Sequence, residues 1–112
     1  MKISKLKDIE NSSVSHNAAI KKKVIIKNGE IPNITYFSAA TFPPGEIAYS
    51  HIHQDMTEVF FIQSGMAEMV IDGQTIALGP GTCITVEPNE QHELRNVGTT
   101  DLDIMYFGVI TK

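Results

Sequence analysis

Turn-forming residues cut this 112-residue chain into short β-prone runs, and no helical apolar period of useful length lies between them. The punctuation is Asn28-Gly29, Pro43-Pro44-Gly45, Asp72-Gly73, Gly79-Pro80-Gly81 and Gly98-Thr99-Thr100-Asp101. Between these marks stand Val24-Ile25-Ile26, Ile34-Thr35-Tyr36-Phe37, Val59-Phe60-Phe61-Ile62 and Leu102 to Ile110, rich in β-branched and aromatic residues. Met66 to Ile71 and Gln74 to Leu78 flank Asp72-Gly73, a strong signal for a two-residue hairpin. Pro43 and Pro44 remove two backbone donors, which puts their corner at a sheet end. The pattern predicts an all-β sandwich or barrel. With 42% hydrophobic and 20% charged residues, the chain can form one core and one domain.

Residues 1–20 show neither a sustained strand period nor a helical one, and are expected to form an arm packed on the domain or on a partner subunit; the core is expected over 21–110. His16, without a ligand-type neighbour, is read as a solvated surface residue. Lys21-Lys22-Lys23 is read as a solvated strand end. The net charge is −4 and most lysines precede Asn28, so no broad basic surface exists and nucleic acid is not an expected partner. No run approaches the ~20 apolar residues that span a bilayer, and the N-terminus lacks the apolar core of a secretory signal. A single cysteine, Cys83, excludes an internal disulfide and suits a cytoplasmic setting. Its Val/Ile/Thr-rich surroundings predict a small buried apolar residue.

The chemistry concentrates between Gly45 and Gly65. Side chains two apart on a strand share a face, so His51 and His53 can reach one cation. Glu58 follows after four turn-compatible residues and opens the apolar run 59–62, which returns beside the first strand. Downstream, Gly81 to Asn96 supplies His92.

The spacing G-x5-H-x-H-x4-E-x6-G from Gly45 to Gly65 resembles the first motif of the cupin family, and GTCITVEPNEQHELRN resembles the second. The second keeps Gly81, His92 and Asn96 but carries Glu87 in place of Pro and Asn89 in place of Gly; Asn tolerates a left-handed backbone, so the turn is expected to survive. The resemblance implies a small antiparallel jelly-roll β-barrel. It also implies that His51, His53, Glu58 and His92 are the protein ligands of one divalent metal ion. Three of the four histidines fall on motif positions. Three nitrogens and one oxygen with room for further ligands favour Mn, Fe or Ni, and Zn is also compatible.

By parity, Phe60, Ile62, Leu94 and Tyr106 line a pocket for a small-molecule ligand, with Tyr36 and Met56 near its mouth. The only arginine, Arg95, has the opposite parity from His92 and is expected to point away, which lowers the weight of phosphate-bearing substrates. Two functions follow. One is a metal-dependent enzyme on a small oxygen-bearing molecule, an oxygenase ahead of a decarboxylase or isomerase; the other is a non-catalytic binding module. Strand 102–110 carries large apolar residues on both parities, and Val59 and Phe61 oppose Glu58, so a homodimer through these outward faces is expected.

Overall fold

The computed structural model describes residues 1–15 and 17–111. After one 3-10 turn at Leu6–Asp8, the regular elements are strands: β1 Ser12–Val14, β2 Asn17–Ile26, β3 Ile34–Phe42, β4 Ile47–His51, β5 Met56–Ser64, β6 Ala67–Ile71, β7 Gln74–Leu78, β8 Cys83–Val86, β9 His92–Asn96 and β10 Leu102–Ile110. They form two antiparallel sheets, ordered β1-β2-β3-β10-β5-β8 and β4-β9-β6-β7. This is a jelly roll whose sheets enclose one core by face packing, with no strand shared between them. No helix among the described residues is long and apolar enough to cross a membrane.

Register places the inward side chains of the larger sheet in rows. Tyr36, Gly108, Glu58 and Val86 make one row, and Ser38, Tyr106, Phe60 and Ile84 the next. Lys22, Ala40, Ile104 and Ile62 follow, then Phe42 beside Leu102. From the smaller sheet, Leu94 and Met69 are paired neighbours facing this stack. Ile62, Met69, Leu94, Leu102 and Ile104 are all buried, each such side chain contributing about 1.5–3 kcal/mol of transfer free energy. The hairpin of β6 and β7 turns on Asp72-Gly73, with Ile71 opposite Gln74, as its sequence predicts.

Asn96, at the end of β9, is buried and fully bonded. Its Nδ2 donates to the carbonyls of Phe42 and Thr100, each at 2.9 Å, and its Oδ1 accepts the Gly98 N–H at 2.9 Å. The first of these bonds crosses from the smaller sheet to β3.

Residues 12–14 and 17–20, expected within an arm packed on the domain or on a partner subunit, pack on the domain as regular strand, in β1 and the first part of β2, and Ile20 is fully buried. Asn17, Ala18 and Ala19 are weak strand formers, and tertiary pairing overrides them. Asn17 Nδ2 donates to the Ile47 carbonyl at 2.9 Å, fastening the start of β2 to β4. Cys83 is exposed, not buried. On β8 it is Ile84 and Val86 that face inward, which turns Cys83 to the outer surface. His16 lies outside the described residues.

Candidate metal centre

β4 and β9 pair so that His51 stands opposite His92. β4 stops at His51, so His53 belongs to the turn before β5 and not to a strand. The shared side expected of a strand is reached by loop geometry: the rings of His51 and His53 meet edge to face with centroids 4.8 Å apart. The loop is fixed from the second motif, where the Asn89 N–H donates to the His53 carbonyl at 2.7 Å. Asn89 has φ +70°, the left-handed conformation expected of it. Glu58 enters from β5 on the opposite sheet. One nitrogen of each of the three histidines and one Glu58 oxygen lie within 4.8 Å of one another.

Hydrogen bonds orient these donors. His51 Nδ1–H donates to the Tyr49 carbonyl at 2.9 Å, and His92 Nδ1–H to the Glu90 carbonyl at 3.0 Å. Since a carbonyl only accepts, the proton of each neutral ring sits on Nδ1, and the lone pair that can bind a cation is on Nε2. His92 Nε2 lies 3.1 Å from Glu58 Oε1. Two acceptors at that distance attract only through a proton or a cation. His53 Nε2 is 3.4 Å from the same oxygen yet buried without a hydrogen bond. Outward-fixed Nδ1 protons, inward lone pairs and an orphaned buried nitrogen fit a divalent ion.

Tyr36 completes the arrangement by donating its hydroxyl proton to Glu58 Oε2, which leaves Oε1 facing the histidines. It reaches across Gly108, the residue between Tyr36 and Glu58 in their row. A Cβ there would run into Thr35 Oγ1 and come within 2.9 Å of Met56 Sδ.

Burial pushes the Glu58 carboxyl up, but its bonds from His92 and Tyr36 outweigh this and hold it below the usual carboxylate range. Burial depresses His51 and keeps it neutral. For His92, burial also works against the charged ring, but Glu58 and the Glu90 carbonyl raise its pKa overall. Burial, reinforced by the Glu58 charge, pushes Tyr36 far up, and Tyr106 is pushed up to about 12. Both remain phenols.

The cluster opens on a cavity of about 190 Å³ between the sheets. Of the six pocket candidates, Tyr36, Met56, Phe60, Leu94 and Tyr106 line it. Phe60 and Tyr106 stack at 5.7 Å. Ile62 does not: it is fully buried one row deeper than Phe60, beside Ile104, where it serves the core. Arg95 points away as expected and bonds Glu93 Oε2 at 2.7 Å. A cation is present nonetheless, because Lys22 lines the cavity. The reading of 21–23 as a solvated end missed it, although Lys22 shares parity with the inward Ile20.

Residues 39–108 match the family model for the cupin domain. A curated relative, the oxalate-binding protein of Thermotoga maritima, is 26% identical over 69 residues, which span 62% of this chain and 57% of that protein. Among solved structures, a protein described as a predicted oxalate decarboxylase from Thermotoga maritima superposes with a TM-score of 0.90 at 18% identity, covering 97% of this chain and 99% of that one. The polyketide cyclase RemF of Streptomyces resistomycificus gives 0.82 at 16% identity, covering 100% and 80%. At these identities the structural likeness shows the fold. The domain match runs over more than half of the residues, and the chain belongs to the cupin family.

Proposed function

We propose that this cupin is a divalent-metal enzyme acting on a small oxygen-bearing molecule. The observation that carries the reading is the convergence of three imidazole nitrogens and one carboxylate oxygen at the mouth of an apolar cavity. His51, His53, Glu58 and His92 would hold the ion, with Mn, Fe or Ni favoured and Zn compatible. When bound, such an ion supplies Lewis-acid activation of a substrate oxygen.

The residues divide the remaining work. Tyr36 keeps its proton on Glu58 Oε2 and presents the other oxygen inward. Phe60, Leu94 and Tyr106 exclude water from the ligand body. Oxygenase chemistry, with dioxygen as co-substrate, is favoured over decarboxylation or isomerisation. Those reactions need a proton donor or base beside the reacting carbon; the Tyr36 proton is committed to Glu58, and Lys22 stands two rows away from the cluster.

Protein loaded with Fe(II), Mn(II) or Ni(II) is expected to consume oxygen with some member of a panel of oxo acids, diols and phenols, and the His51→Ala variant is not. The relative's name favours a second reading, a metal-dependent carboxylate-binding module. Metal and carboxylates that raise Tm with no turnover anywhere in the panel would select it.

A homodimer fits the outer face of the larger sheet. Phe61 is 42% exposed there and pairs with Met105, while Val59 pairs with Phe107 and Phe107 with Phe37. Two adjacent apolar rows on one face are suited to a second copy. Light scattering at micromolar concentration is expected to give twice the 12.3 kDa chain mass; a clean monomer removes the dimer.

A further inference from the structure

The far end of the cavity carries a charge of its own. Lys22 stands opposite Ala40 in the register of β2 and β3, and both line the cavity. The alanine methyl leaves room for the lysine stem. Its neighbours are differently placed: Lys21 Nζ donates to Ser13 Oγ and the Ala18 carbonyl, and Lys23 Nζ to the Leu6 carbonyl. Among the described residues no carboxylate pairs with Lys22.

Charge and length restrict what fits between the two ends. A divalent ion held by neutral imidazoles and the Glu58 carboxylate leaves one net positive charge at the mouth, and Lys22 adds a second at the other end. Tyr36, in the Glu58 row, and Ala40, in the Lys22 row, are four residues apart on β3, roughly 13 Å along the strand. The lysine side chain shortens that gap without closing it. The wall between is Phe60, Leu94, Ile104 and Tyr106, apolar except for one phenol hydroxyl. A cavity of about 190 Å³ admits a small acid and not a nucleotide sugar.

We propose that the cavity selects an elongated organic dianion, with an oxygen-bearing head at the histidine and glutamate cluster and a carboxylate several carbons away paired with Lys22. This rests on reading the cluster as a metal centre. It makes Lys22 a specificity residue that touches the ligand and no metal. A two-carbon diacid is too short to engage both ends.

The test compares two six-carbon acids, 2-oxoadipate and 2-oxohexanoate, which differ in the distal carboxylate alone. Their binding to Mn(II)-loaded protein is measured by calorimetry, after Mn(II) binding itself has been titrated. The wild type is expected to prefer 2-oxoadipate by about tenfold or more, the worth of one charge-assisted hydrogen bond. In Lys22→Met, which keeps the stem, the preference disappears while Mn(II) and 2-oxohexanoate affinities stay as they were; Lys22→Arg restores it. Mn(II) binding with no preference between the acids, with neither acid bound, or with a preference that survives Lys22→Met overturns the assignment and leaves the metal reading standing. Failure of the wild type to bind Mn(II), Fe(II), Ni(II) or Zn(II) overturns both.

Discussion

His92→Ala is expected to lower divalent-metal affinity by at least about 100-fold and to cost the metal-free fold roughly 2–4 kcal/mol. The metal loss follows from removing one of four converging donors. The stability loss has a separate origin, because Glu58 is 4% exposed and loses its 3.1 Å partner, leaving a buried carboxylate bonded through Tyr36. Titration calorimetry and urea unfolding of the metal-free protein read the two effects independently. Tyr36→Phe is the informative companion: it keeps the ring, removes the proton held on Glu58, and should weaken metal binding roughly tenfold as an outer-sphere change does. Metal affinity in His92→Ala within a few-fold of wild type would sink the assignment of His92 as a ligand.

Across the titration of His92, its contribution to the stability of the metal-free protein and the affinity for metal should change in opposite directions with pH. With its pKa depressed on folding, Glu58 stabilises the fold above the unfolded value, and that contribution is lost as pH falls through the folded one. His92, with its pKa raised, contributes below the unfolded value and loses its contribution as pH rises through the folded one. Metal must displace the His92 proton, so binding tightens with rising pH over the same window in which the His92 term fades.

Gly65→Ala is expected to destabilise the fold by about 3 kcal/mol or more, lowering Tm by ~10 °C or more. Gly65 has φ +90°, and a Cβ there would sit 2.6 Å from the Asp101 carbonyl oxygen and 2.9 Å from Leu102 Cα. Both obstacles are backbone, at the entry to β10, and cannot step aside as a flexible side chain could. Thermal unfolding that shows a loss under about 1 kcal/mol would mean that the two segments are not so closely apposed.

The all-β class was legible in turn dipeptides and alternation that the chain carries locally, and the approach of His51, His53 and Glu58 in a His-x-His pair followed by Glu at a fixed offset. The jelly roll and the place of His92, far along the chain from Glu58, were legible only through the resemblance to the two cupin motifs. What escaped depends on partners distant in sequence. Asn17 to Ile20 became strand through pairing with β1 and a bond to Ile47. Lys22 became cavity lining because Ala40 faces it, and Ile62 became core because Ile104 lies beside it. Cys83 shows that parity must be anchored: Ile84 and Val86 already claimed the inner face of β8.

The three-residue gap between His92 and Asn96 in the second motif has a mechanical meaning. His92 bonds Glu58 of the opposite sheet at one tip of β9, and Asn96 bonds the Phe42 carbonyl of that sheet at the other. A strand pegged at both tips cannot creep by one residue, since doing so would expel both polar groups and turn Leu94 outward. β9 therefore acts as a cross-bolt that keeps the sandwich in phase, and the distance between its two pegs gauges how far apart the mouth and the floor of the molecule must stand.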